Sequence, residues 1–178
     1  MGRVHITGAS GSGATSLGIA LAGELGHRHF DADDYYWVPT QPLYTVKRPM
    51  PQRIERLEED LSRHQSWVLS GSLCGWGDRL IAQFDLVVFL TLSKGVRLER
   101  LRQRETQRFG STAIEPGGAR AIQYDEFMSW AARYDEGGLD VRSRALHEQW
   151  LQRLPCPVVR LNSELSVHDL LKSVYRSA

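Results

Sequence analysis

Near the start of the chain a run of small residues joins an apolar segment to an amphipathic one: Gly8-Ala9-Ser10-Gly11-Ser12-Gly13-Ala14-Thr15-Ser16. Before it, Arg3–Thr7 reads as a short strand. After it, Leu17, Leu21 and Leu25 recur every four residues, the spacing of a helix, and Gly26 is placed to end that helix. Three glycines and two serines within residues 8–13 let backbone N–H groups turn inward where the dipole of the next helix begins. That combination holds phosphate oxygens. The run fits G-x-x-x-x-G-K-[ST] everywhere except at the lysine, which is Ala14, and Thr15 supplies the hydroxyl that a Mg²⁺ ion needs. A dinucleotide-binding turn is the competing reading. It fails because a G-x-G-x-x-G register puts its third glycine at Ala14 or Ser16, and no tyrosine precedes any lysine by four residues.

Composition narrows the class further. A length of 178 residues predicts one compact domain over 1–178, and 42% hydrophobic with 24% charged residues is ordinary for a globular protein. The net charge of +1 provides no field to steer the chain to nucleic acid or an anionic membrane. The longest apolar run, Leu86–Leu90, is far below the ~20 residues of a membrane helix. Cys74 and Cys156 have neither metal spacing nor a disulfide framework, which predicts a reduced, cytoplasmic protein. Of the 22 basic residues, 19 are arginine and three are lysine (Lys47, Lys94 and Lys172), a bias toward groups that grip phosphate or carboxylate with two N–H donors.

Downstream, strand and helix patterns alternate. His29–Asp31 starts a second strand, and the prolines 39, 42, 49 and 51 make residues 38–50 mostly loop, with Pro51 expected as the first residue of a helix carrying Ile54, Leu57 and Leu61. Trp67–Leu69 is a third strand, running into Gly-rich residues 70–77, and Leu86–Leu90 a fourth, apolar enough to be covered on both faces. Ser93 is expected to cap a helix reaching Phe109, followed by a mobile loop over 110–118. Helices over 119–135 and 140–153, a strand over 157–161 and a helix over 167–175 complete the chain. This alternation predicts an α/β fold, a parallel sheet with helices on both faces, whose ligands sit at the carboxyl ends of the strands. The glycine run, the acidic turn Asp31–Asp33 and Gly71-Ser72 all fall on that edge.

Together, the glycine run, Phe30-Asp31-Ala32-Asp33-Asp34, Gly71-Ser72 and an arginine-rich helix ahead of a Gly-containing loop resemble the P-loop small-molecule and nucleoside monophosphate kinases. Shikimate-kinase-like and adenylate-kinase-like proteins are closest in pattern, together with small bacterial proteins labelled adenylate kinase-like or AAA-family ATPase. The resemblance implies a three-layer fold with a five-stranded parallel sheet, a substrate-binding insertion over about 34–65, a lid over about 104–118, and ATP with Mg²⁺. It implies that Asp31 helps Thr15 hold the metal, that Asp33 takes the proton of the attacking hydroxyl, and that Asn162–Glu164 touch adenine.

Asp31 and Asp33 are two apart, which in an extended segment puts both carboxylates on one side. Arg97, Arg100, Arg104 and Arg108 share one helical face, and Arg104 and Arg108, nearest the lid, are the expected catalytic arginines. The pair Lys47-Arg48 is the candidate anchor for an anionic substrate, with Gly71 and Ser72 beside it. Tyr35, Tyr36, Trp37 and Tyr44 are either a stacking surface or packing under the loop, while Trp130, Tyr134 and Trp150 are expected in the core. Arg133, Arg142 and Arg144 could reach the nucleotide, but no sequence signal favours that reading. The expected activity is transfer of the ATP γ-phosphate to a small metabolite or nucleotide. The missing lysine supports the alternative, a nucleotide-binding module that switches without transferring phosphate.

Overall fold

The computed structural model describes residues 1–177. Five strands, β1 (Arg3–Gly8), β2 (Arg28–Asp31), β3 (Trp67–Ser70), β4 (Leu86–Thr91) and β5 (Val158–Asn162), form one all-parallel sheet in the order β2-β3-β1-β4-β5. The period-two alternation of the strands sorts their side chains into two cores. Val4, Ile6, Val68, Leu86, Val88 and Leu90 face α1 (Ala14–Leu25) and, from the far end of the chain, α8 (Val167–Ser177). Trp67, Leu69, Val87 and Phe89 face the other way, toward Leu57 and Leu61 of α3 (Met50–Ser62) and Trp150 and Leu151 of α7 (Arg144–Leu151). His5, on this second face, stacks on Phe84 with ring centroids 5.0 Å apart, and its Nδ1–H donates to the Leu69 carbonyl over 3.0 Å.

The glycines position the first helix. Gly26 ends α1 in the left-handed conformation at φ 64°, as the sequence implies. Gly18 has a reason of another kind. A Cβ there would stand 2.8 Å from His29 Nε2 and 3.0 Å from Ser70 Cβ, so only glycine lets α1 lie this close to β2 and β3.

Several expectations need correction. Asp31 and Asp33 do not lie together on an extended segment. Asp31 is the N-cap of a five-residue helix, α2 (Ala32–Tyr36), and its carboxylate accepts the Asp33 backbone N–H over 2.9 Å. Ser93 stands at the N-cap of α4 (Lys94–Phe109), yet its hydroxyl makes no capping bond and donates instead to Glu164 over 3.2 Å. Residues 110–118 are not a plain loop, because α5 (Ser111–Ile114) forms within them. Pro51 is the second residue of its helix, not the first. The helix expected over 119–135 is α6 (Ala121–Ala132), closed by a 3-10 turn over Arg133–Asp135. The proline-rich insert is loop, as its composition implies, but its base is pinched by an antiparallel bridge between Trp37 and Lys47.

Candidate functional site

The site is built where strand ends meet helix starts. Gly11 and Gly13 hold the turn after β1 at φ 83° and 88°, the left-handed region that glycine enters without strain. Gly11 also lies against α4: a Cβ there would meet the Arg97 carbonyl at 2.8 Å. The turn encloses the Ser12 hydroxyl, which is buried and without a hydrogen-bond partner. A tight N–H-lined turn at a helix start, around an unpartnered hydroxyl, fits a phosphate group.

One step away, Thr15 Oγ1 donates to Asp31 Oδ2 over 2.7 Å, and the Ser70 hydroxyl donates to the same oxygen over 3.2 Å. Register puts Asp31 opposite Ser70 and Ser70 opposite Ile6, so these groups share one level of the sheet. His29 Nε2 lies 3.0 Å from the Ser70 hydroxyl, and burial lowers the pKa of His29. Among the described residues no cluster of three or more His, Cys, Asp and Glu side chains converges on a metal position. Thr15 and Asp31 are the oxygen pair suited to a hard cation that takes its other ligands from phosphate and water.

Asp33, in the first turn of α2, is exposed to solvent, with protein crowding one side of it. That crowding, and then the charge of Asp31, raise its pKa above the ordinary aspartate value, while Arg142, Arg104 and Arg108 pull it down. The charges of three guanidinium groups therefore act on this carboxylate.

The four arginines of the α4 stripe separate by task. Arg97 is fully buried, pairs with Asp135 at 2.8 Å and donates to the Ala131 carbonyl over 3.0 Å, a structural role. Arg100 lies beside the loop at Gly13 and donates to the Ser163 carbonyl over 3.0 Å. Arg104 and Arg108 both reach Glu105, at 3.2 and 3.6 Å, and Arg108 covers the Tyr44 ring at 5.2 Å, joining α4 to the insert.

Lys47 and Arg48 do not form a joint anchor. Lys47 is exposed, while Arg48 is buried and donates to the backbone carbonyls of Asp34 and Tyr35. Gly71 packs on Ala32, and the Ser72 hydroxyl lies 2.9 Å from His147 Nε2, whose Nδ1 is 2.6 Å from the Tyr134 hydroxyl. Burial lowers the pKa of His147 to about 3 and raises that of Tyr134, so this relay carries no charge at neutral pH.

The residue that sequence reasoning passed over is Arg142, just before α7. Its Nη2 donates to Ser10 Oγ in the glycine turn over 2.8 Å, and its guanidinium lies 5.2 Å from the Trp130 ring centroid. Trp130 is thus a site residue, 37% exposed, and not the core residue its helical spacing suggests. A recess of about 350 Å³ on the outer side of β2, lined by Arg28, His29, Asp34, Asp60, Arg63 and His64, includes no residue of the glycine turn.

Comparison with known proteins bears on the fold and the family. The shikimate kinase of Acinetobacter baumannii, solved in complex with shikimate, superposes with a TM-score of 0.58 at 15% identity, over 99% of this chain and 92% of its own. A gluconokinase from Sinorhizobium meliloti 1021 gives 0.56 at 16% identity, over 99% and 90%. These likenesses show the three-layer P-loop kinase fold. At the level of sequence, the uncharacterized protein YqaC of Bacillus subtilis (strain 168) is 47% identical over 172 residues, 97% of this chain and 94% of that protein. The AAA domain family matches residues 4–115, the stretch from β1 to α5 that holds the glycine turn, the Asp31–Asp33 turn, Gly71 and the arginine stripe. By that match, over more than half its length, the chain belongs to the AAA domain family.

Proposed function

We propose that this protein is a P-loop phosphotransferase that moves the γ-phosphate of ATP to a small hydroxyl- or phosphate-bearing acceptor. The observation that carries the reading is the placement of Asp33. It is a crowded carboxylate within the field of Arg104, Arg108 and Arg142, at the same sheet edge as the glycine turn and the Thr15–Asp31 pair. Residues 8–16 would cradle the nucleotide phosphates, and Thr15 and Asp31 would hold Mg²⁺. When bound, that ion neutralises charge on the phosphate oxygens. Asp33 would accept the acceptor's hydroxyl proton while the arginines stabilise charge on the phosphoryl group in flight. The acceptor would lie near Asp33 and Gly71-Ser72, with the insert of about 34–65 over it and residues 104–118 closing from α4. Both cysteines are free, which suits a reducing compartment such as the cytoplasm. No helix among the described residues is long and apolar enough to cross a membrane.

Ala14 supports a second reading, a module that binds nucleotide without transferring phosphate. Calorimetry with ATP·Mg²⁺, followed by ADP release measured against nucleoside monophosphates and polyhydroxy acids, separates the two. Saturable binding with acceptor-dependent ADP release is the expected result. Binding with only basal release across a broad acceptor set favours the module, and no binding at millimolar ATP removes both.

A further inference from the structure

A loop of this kind normally places its positive charge at residue 14, and here that residue is alanine. We propose that Arg142 supplies the missing cation, from the opposite side of the turn, and grips the terminal phosphate of the bound triphosphate. This inference rests on the reading of the glycine turn as a nucleotide site.

Three observations carry it. The first is contact: Arg142 Nη2 reaches Ser10 Oγ at 2.8 Å, at the crest of the turn. The second is an unmet need. Arg142 is half-buried, its Nε–H is buried without a hydrogen-bond partner, and among the described residues no carboxylate forms an ion pair with it. A buried guanidinium without an anion is costly, and such groups are kept where an anion arrives. Of the other arginines near the site, Arg104 and Arg108 share Glu105 and Arg100 donates to the Ser163 carbonyl, and none of these three has a buried N–H without a partner. The third is position. Arg142 touches the turn and its charge also acts on Asp33, so one guanidinium serves both the donor cradle and the proposed proton acceptor. Trp130 lies over the face of the guanidinium, so the ring does not cover the N–H donors, which lie in the plane of the group and suit a phosphate.

A cation at that place addresses the last phosphate more than the first two. Binding of ATP·Mg²⁺ and ADP·Mg²⁺ to wild type, R142M and R142Q is measured by calorimetry, with melting temperature and ADP affinity as checks on the fold. We expect either variant to weaken ATP binding roughly ten- to hundredfold, the worth of a charge-assisted hydrogen bond, with ADP affinity kept within about twofold. Adding A14K to R142M should restore most of the lost ATP affinity. ATP affinity unchanged in a folded R142M overturns the proposal and leaves the nucleotide site standing. No binding of either nucleotide by wild type overturns the site itself. Should neither Arg142 variant fold, A14K in the wild-type background decides. A full ten- to hundredfold gain in ATP affinity means the loop had no cation and refutes the role of Arg142, while a gain of less than about threefold supports it.

Discussion

A carboxylate that takes a proton from a hydroxyl is useful only while ionised, and the surroundings of Asp33 make that condition depend on pH. Crowding and the neighbouring Asp31 raise its pKa, so the acid limb of turnover should lie above the ordinary aspartate range of about 4. D33N keeps the shape and removes the base. Turnover should fall roughly 10²–10⁴-fold with ATP affinity little changed, and the shifted acid limb should vanish from whatever activity remains. Unchanged turnover would take Asp33 out of the mechanism. The same raised pKa has a thermodynamic sign. The folded state binds the Asp33 proton more tightly than the unfolded state, so ionisation at neutral pH destabilises the fold. D33N should therefore melt above wild type at pH 7, with the gap closing as pH falls below about 4. A variant that melts lower at pH 7 would show that Asp33 is stabilised by its three arginines more than it is strained by crowding. The position of Asp33 was readable in the sequence, its geometry less so. The signal that was missed is local: Asp31 and Asp34 stand at the N-cap and third positions of α2, the spacing of a capping box, which marks a helix start and not a continuing strand.

At the scale of elements, α4 is the member that joins the glycine turn to α5 and α6, and Arg97 is its rivet. The side chain is fully buried, ties α4 to Ala131 and Asp135, and its backbone carbonyl abuts Gly11. R97M leaves Asp135 without its closest cation and the Ala131 carbonyl without this donor. The expected cost is about 3–5 kcal/mol, read as a lower midpoint in urea with little change in slope. A loss below about 1 kcal/mol would mean that the pair is dispensable. Arginines at 97, 100, 104 and 108 are equivalent by spacing, and the sequence offered nothing to separate the buried one from the three nearer the site. What separates them is the approach of α6 and the turn after it, contacts 34 and 38 residues away in the chain. The sheet was legible for the opposite reason. Each strand is a local apolar run whose alternation follows from neighbouring residues, and β4 lies within one residue of its sequence reading.

For the whole molecule, two buried imidazoles set the response to acid. His5, between Phe84 and Trp150, has its pKa lowered to about 4, and His147, between Ser72 and Tyr134, to about 3, in both cases chiefly by burial. An unfolded chain protonates its histidines near 6.5. Between that value and 4 these two sites bind up to two more protons in the unfolded state than in the native one, so the stability their neutral forms give falls as pH drops. A plot of unfolding free energy against pH should slope upward through this window, and H5F, which keeps an aromatic ring in the stack, should reduce the slope by about half. An unchanged slope would place the proton uptake elsewhere. Arg142 was the least legible residue because its contact with Ser10 spans 132 positions, and no periodicity in a sequence marks an encounter so distant. That span also has a consequence in time. A ribosome adding roughly 5–20 residues per second makes Ser10 about 7–26 s before Arg142. A loop with its own lysine has its charge as soon as the first strand and helix meet. On the proposed role of Arg142, the charge is added only 132 residues later, so tight triphosphate binding becomes a report that α4 and α6 have already been made.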